Sequence, residues 1–369
     1  MRKNDSLRIH VINVGHGDAI LVEFPDDVSN ERRPRFGLVD AGGEDKKTES
    51  KTRDYINTFL EYRFGKKPST DPKAHDYTFE FICLTHPHGD HLYGMMAVLE
   101  HFCGPDIPPA MRPKQFWDCG FRHNQQRYRD ILSFLVDHPE VRFMRVASGT
   151  EFHYDDTEVL VIAPSIDMRN RYDTFGVDVN DASIVLRITH GDGVVILTGD
   201  AHFDTWGKVC EEFPRKSHLT YPKTSKGKLD PRDRNRDGIA FLSQENQLDC
   251  HLLKISHHGS KRGTSYEYIE KLSPTWFAIS CDQATEYSGN WKHKFPHPIT
   301  RLIIGEESKV YKASNSRIPS VWALRDRTAT TAKLGTLVYK VPSSGRVKLK
   351  HLGDKKDEDV SVRDFARNL

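Results

Sequence analysis

The sequence predicts an α/β protein built from stacked layers, and three observations carry that expectation. Apolar runs of strand length recur through both halves of the 369-residue chain, each closed by a turn signal. Segments with apolar residues at helical spacing stand between them. Aromatic residues, at 10%, supply bulk for a core although hydrophobic residues amount to only 37%.

Leu7–Val14 and Ala19–Phe24 read as strands joined by hairpin chemistry at Gly15-His16-Gly17-Asp18, and Phe36–Val39 as a third strand ending at Asp40. Tyr55, Ile56, Phe59, Leu60 and Phe64 have helical spacing. Phe79–Leu84 is a strand that runs into a histidine cluster, followed by helical stretches at Leu92–Phe102 and Arg127–Val136. Val141–Val146 and Glu158–Ile162 return to strand, and Ser183–Thr189 with Val194–Thr198 flank the hairpin turn His190-Gly191-Asp192-Gly193. His251–Ile255 and Trp276–Ser280 enclose a helix at Tyr266–Leu272. Thr336–Val341 and Arg346–Lys350 form a late hairpin. Residues 214–247 are poor in core formers and read as an exposed insertion, and the charged last twenty or so residues as a loosely attached tail. The organisation expected is a domain over 1–310 and a C-terminal β extension over 311–369.

Charge excludes some partners. Lysine plus arginine (54) nearly cancels aspartate plus glutamate (52), so a nucleic acid would have to be met by a local patch. No window approaches the 18 apolar residues of a membrane-spanning helix, and no membrane partner is expected. The N-terminus enters a strand pattern with no apolar signal region, and six scattered cysteines lack paired C-x-x-C spacing. A cytoplasmic protein with free thiols is the expectation.

The strongest chemical signal is Thr85-His86-Pro87-His88-Gly89-Asp90-His91, with four potential metal ligands within six residues after an apolar strand. A strand end and a tight turn can splay His86 and His88 towards one metal while Asp90 and His91 face a second. Imidazole with carboxylate suits zinc, and manganese or iron where carboxylates and water complete the shell.

With these residues the sequence resembles the metallo-β-lactamase superfamily, which implies an αββα sandwich with a binuclear site at one edge of its sheets. Within it, Asn13–Ile20, Asn180–Leu186, Leu253–Ser260 and Pro296-His297-Pro298 resemble the soluble metallo-hydrolase domain of the DNA-uptake channel protein ComEC, over roughly residues 7 to 305. The resemblance implies that Asp40 orients a ligand histidine, that Asp200 bridges both metals, and that His257 is the late histidine of the second site, with the choice between His257 and His258 open. The third histidine that completes the first site in the superfamily is not evident; Asn180-Asp181-x-Ser183 stands near its place. Either Asp181 substitutes as a ligand, shifting preference from zinc to manganese, or Asn180 or Ser183 contacts substrate instead.

Two divalent cations, zinc or manganese, would activate a bridging water and hold the oxygens of a phosphoryl displacement. Asp90 belongs to that catalytic centre. His258 and His297 are candidates for protonating a leaving alkoxide, or else bond loop backbone. Asn180, Ser183 and Ser260 are donors to phosphate oxygens, or else capping residues, and Asp18 is a turn residue supporting the site. Asp233-x-Asn235-x-Asp237-Gly238 begins like a calcium loop but has Gln244 at its twelfth place. Basic residues from Lys223 to Arg236 either track a phosphate backbone or are simply solvated. The expected function is a binuclear metal-dependent hydrolase, a phosphodiesterase or nuclease acting on nucleic acid or nucleotides. The alternatives are a lactone or thioester hydrolase and a metal-bearing regulatory subunit that needs a partner protein.

Overall fold

Strands covered on both faces have to be apolar on both, and the first strand shows what each face meets. Leu7, Ile9 and Val11 of β1 (Ser6–Val11) point between two sheets, while Arg8 and His10 point the other way and are buried as well. His10 packs edge-on against Phe59, and its Nδ1 lies 2.8 Å from the Tyr55 hydroxyl. Glu23 accepts from Arg8 at 2.9 Å and lies 2.9 Å from the Arg63 guanidinium, so the buried charges are compensated.

The computed structural model describes residues 4–26, 34–43, 48–64, 77–121, 123–171, 177–213, 248–282, 294–305 and 327–352. The first half runs β1, β2 (Ala19–Glu23), β3 (Arg35–Ala41), α1 (Lys51–Phe64), β4 (Thr78–Leu84), α2 (Gly89–Leu92), α3 (Met95–Phe102), β5 (Gln115–Asp118), α4 (Gln126–Asp137) and β6 (Arg142–Arg145). The second half runs β7 (Glu151–Tyr154), β8 (Thr157–Ala163), α5 (Ile166–Arg171), β9 (Val185–His190), β10 (Gly193–Leu197), α6 (Phe203–Glu212), β11 (Leu252–Lys254), α7 (Tyr266–Leu272), β12 (Trp276–Ile279), α8 (Pro298–Ile303), β13 (Thr328–Thr330), α9 (Thr331–Leu334), β14 (Leu337–Pro342) and β15 (Lys348–His351).

Eight strands form one sheet in the order β15-β14-β1-β2-β3-β4-β5-β6, and seven form the other in the order β13-β12-β11-β10-β9-β8-β7. The expected αββα sandwich is what these layers make. Phe81, Trp117, Leu186, Val195 and Tyr339 fill the space between the sheets. Ile56, Val98 and Ile131 pack α1, α3 and α4 on the outside of the first sheet, and Trp206, Val209 and Ile269 pack α6 and α7 on the outside of the second. Five of the six free cysteines are buried: Cys103 under the first helix layer, Cys83 and Cys119 between the sheets, Cys250 and Cys281 under the second.

Both expected early and middle hairpins are present, and the late one places β14 antiparallel to β1, so the C-terminal residues complete the first sheet. The helical stretch Leu92–Phe102 divides at Tyr93-Gly94, because Gly94 donates to the Ala41 carbonyl and approaches the neighbouring backbone too closely for a side chain. β5, β7, β13, α5, α6, α8 and α9 are additions to the sequence reading. The insertion at 214–247, with the Asp233 loop and the basic residues from Lys223 to Arg236, lies outside the described residues, as does most of the charged tail. Among the described residues no helix is long and apolar enough to cross a membrane.

Candidate metal centre

Parallel strands β3–β4 and β10–β11 end at the same edge of the sandwich, and their exits carry the charged side chains. Asp40 leaves β3 in the left-handed region (φ 59°) with its buried carboxylate turned inward. Its Oδ1 accepts from the Thr85 backbone N–H and its Oδ2 from the Thr85 hydroxyl, both at 2.7 Å. Oδ2 also lies 2.7 Å from His91 Nδ1. That contact puts the His91 proton on Nδ1 and leaves Nε2 as a donor atom.

The same accounting applies to two more imidazoles. The Thr85 hydroxyl has given its proton to Asp40, so at 3.2 Å it accepts from His86 Nδ1. His258 Nδ1 donates to the Ser280 carbonyl at 2.9 Å. Three rings are therefore held with Nε2 lone pairs directed at one place. The Nε2 atoms of His86 and His91 and the Oδ1 of Asp200 are buried with no hydrogen-bond partner.

Ligand atoms of Asp90, His91, Asp200 and His258 all lie within 4.8 Å of one another. Asp200 Oδ1 is 3.1 Å from His91 Nε2 and 3.8 Å from His258 Nε2, while Asp90 Oδ2 is 3.2 Å from His258 Nε2. On its other oxygen, Asp200 Oδ2 is 3.9 Å from His86 Nε2 and 3.6 Å from His257 Nε2. The His88 ring centroid stands 4.8 Å from that of His86. Burial opposes charge on Asp200, but His91, His257 and His258 outweigh it and hold its carboxyl well below the usual range. Burial likewise works against the His91 imidazolium, and Asp200, Asp40 and Asp90 reverse it, holding His91 well above its ordinary value. Orphaned imidazole nitrogens facing a shared carboxylate are what a divalent cation needs, so this donor set fits the zinc or manganese class.

Several expectations change at this point. His258, not His257, joins Asp90, His91 and Asp200, and with its Nε2 on those carboxylates it does not face outward as an acid. Asp181 is turned to the start of α6, its Oδ1 accepting from the Thr205 hydroxyl at 3.1 Å, so the geometry does not place it among the ligands. Ser183 is fully buried and its hydroxyl accepts from the Asp200 backbone N–H, which removes it from substrate contact. Asp18 is paired with buried Lys254 and lies 3.6 Å from His258 Nδ1. Asn180, Ser260 and His297 line a cavity of about 550 Å³ together with His202, His257, Lys261, Arg262, Lys294, Phe295 and Asp178. A second cavity of about 500 Å³ reaches Asp90 beside Tyr93, Gln125 and Arg127.

Three residues near the centre escape sequence reasoning. His16 lies 3.7 Å from Asp90 Oδ2, and burial together with the neighbouring His258 pushes it down to about 4. Lys254 compensates Asp18, and His202 Nε2 lies 2.7 Å from His257 Nδ1. Their only sequence signal is position: between two glycines, at a strand end, and two residues beyond Asp200.

The metallo-beta-lactamase superfamily model matches residues 38–230, just over half of the chain. This chain belongs to that superfamily. Metallo-beta-lactamase superfamily proteins are mostly metal-dependent hydrolases and typically bind two metal ions. No curated protein matches the chain. Similar solved structures include the metallo-beta-lactamase fold protein YhfI from Bacillus subtilis, 10% identical with TM-score 0.36, covering 74% of this chain and 85% of that one. Unliganded yeast PDE1 is 12% identical with TM-score 0.35, over 72% of this chain and 93% of that one. CmlA, a diiron beta-hydroxylase from Streptomyces venezuelae, is 13% identical with TM-score 0.33, over 88% of this chain but only 50% of its own.

Proposed function

We propose that the protein is a two-cation hydrolase of phosphodiesters, acting on a nucleotide or a nucleic acid. The observation that carries this reading is the cavity at His257. Lys261, Arg262 and Lys294 line it with no ion pair among the described residues, against the single carboxylate of Asp178. Unpaired cations beside a metal centre suit an anion with more than one charged oxygen, whereas a lactone or thioester pocket is narrow and apolar.

Cations held by His86, His88, Asp90, His91, Asp200 and His258 would supply Lewis acidity and an activated water. The chain's own residues do the rest. Lys261 and Arg262 follow His257-His258-Gly259-Ser260 on one loop, so the phosphate grip is tied at short chain distance to the ligand set. The Phe295 ring, stacked on His257, adds an apolar wall to the same cavity. His297 borders the same cavity, and its Nδ1 accepts from the Ile299 N–H, so its neutral ring carries the proton on Nε2. Asn180 lines the same cavity, where its Nδ2 amide can donate to a phosphate oxygen.

Hydrolysis of a phosphodiester and a lactone model substrate, each assayed with Zn²⁺ and with Mn²⁺, tests the reading. Turnover of the diester is expected, and the double variant Lys261→Ala/Arg262→Ala should raise its KM by about tenfold or more, as loss of charged hydrogen bonds implies. Lactone turnover without diester turnover overturns the proposal.

A further inference from the structure

We propose that His257 supplies the third imidazole of the first metal site, and that His202 and Asp178 hold its ring in the tautomer that makes it a ligand. This rests on the two-cation reading of the centre but not on its substrate.

Asp200 sorts the candidates into two sets. His91 and His258 face Oδ1, while His86 and His257 face Oδ2 at 3.9 and 3.6 Å. His257 thus stands on the side of the His86-x-His88 pair, where an imidazole is lacking, while Asp181 Oδ1 is directed to the Thr205 N–H and hydroxyl. One proton lies between His257 Nδ1 and His202 Nε2, 2.7 Å apart. The Asp178 carboxylate, 3.9 Å from His202 Nδ1, favours a proton on that nitrogen. His202 Nε2 then accepts, His257 Nδ1 donates, and the His257 lone pair is left at Nε2, facing Asp200. This is the arrangement that Asp40 makes for His91, with an imidazole interposed before the carboxylate.

The backbone points the same way. His257 (φ 49°, ψ 51°) and His258 (φ 51°, ψ 19°) are consecutive non-glycine residues in the left-handed region, a strained conformation for L side chains. Placing only His258 would not require both. Two successive left-handed residues let neighbouring side chains reach the two oxygens of one carboxylate.

The test is a count of bound ions on the full chain, stripped with chelator, reloaded with Zn²⁺ and desalted. The wild type should retain two ions and His257→Ala one. Adding imidazole to His257→Ala should restore the second ion, an outcome that a merely structural histidine would not give. Asp181→Ala should keep two, and His202→Ala should weaken one site by about ten- to a hundredfold, the usual cost of losing a ligand's supporting partner. If His257→Ala does not fold, the His202→Ala titration decides, and two unchanged affinities there overturn the proposal. Two ions on folded His257→Ala overturn it while leaving the two-cation reading intact; no ions on the wild type overturn both.

Discussion

Asp200 and Glu23 are both buried carboxylates surrounded by cationic or protonatable partners, and they have opposite purposes. Glu23 has Arg8 and Arg63 at 2.9 Å and His10 at 3.5 Å, so its charge is compensated and serves stability. Burial would raise its pKa, but Arg63, His10 and Arg8 pull it down to about 2. A carboxyl depressed in the folded state stabilises above its unfolded value, near 4.5, and that contribution is lost as pH falls towards 2. Glu23→Gln should therefore lower stability at pH 7 by roughly 3–5 kcal/mol, the cost of stranding buried charge. Denaturant titrations at pH 7 and pH 3 should show the gap between variant and wild type narrowing at the lower pH. Asp200, in contrast, has no guanidinium beside it and faces the imidazoles of His86, His91, His257 and His258. Asp200→Asn should bring bound metal close to zero and hydrolysis to background with an unchanged circular dichroism spectrum; retained metal would refute the bridging role. At this scale the sequence reveals donors packed closely along the chain, such as His86, Asp90 and His91. It does not reveal which of two adjacent histidines faces which oxygen, because that is decided by backbone dihedrals, nor His202, whose importance comes from a ring 55 residues away.

Loops at the strand exits are joined to one another by backbone as well as by side chains. The Asp18 N–H donates to the Asp90 carbonyl and the Gly42 N–H to the Asp18 carbonyl, tying the β1–β2 turn, the end of β3 and the start of α2 together. A methyl group on Gly42 would overlap the Asp90 carbonyl and come within 2.8 Å of the Asp18 N–H nitrogen. Gly42→Ala should thus cost roughly 1–3 kcal/mol, as overpacking does, and also lower metal occupancy by displacing Asp90. A thermal melt and an ion count on the same sample check both halves. The long central strands and α1, α4 and α7 are legible because their apolar patterns are complete. β7 and β13 are not: Glu151-Phe152-His153-Tyr154 and Thr328-Ala329-Thr330 are too short and polar to signal a strand, and they form because a neighbour offers an edge. α6 is hidden because its apolar side is carried chiefly by Trp206 and Val209 in a polar stretch.

The whole molecule is a sandwich whose first sheet is completed by residues far apart in sequence. β14 pairs with β1 over six positions and sends Leu337, Tyr339 and Val341 between the sheets. Ending the chain after residue 335 would uncover β1 and remove three buried side chains, worth about 5–9 kcal/mol of apolar burial. That is comparable to the entire stability of an ordinary domain, so the shortened protein should be unfolded or insoluble. Soluble, cooperatively melting material would show that the first sheet stands without its closing strand. The αββα order follows from the strand and helix pattern once the family resemblance supplies the halves, whereas the role of the last hairpin is visible only in the pairing.

Each layer also holds its own sulfur. Cys103 lies beneath the first helices, Cys83 and Cys119 between the sheets, and Cys250 and Cys281 beneath the second helices, and burial raises the thiol pKa of Cys83, Cys103, Cys119 and Cys250. A thiol-selective reagent can modify these positions only when the surrounding layer opens. The natural chain therefore carries a set of internal clocks, and the order in which they are labelled under mild denaturant would time the separation of the layers without a single introduced probe.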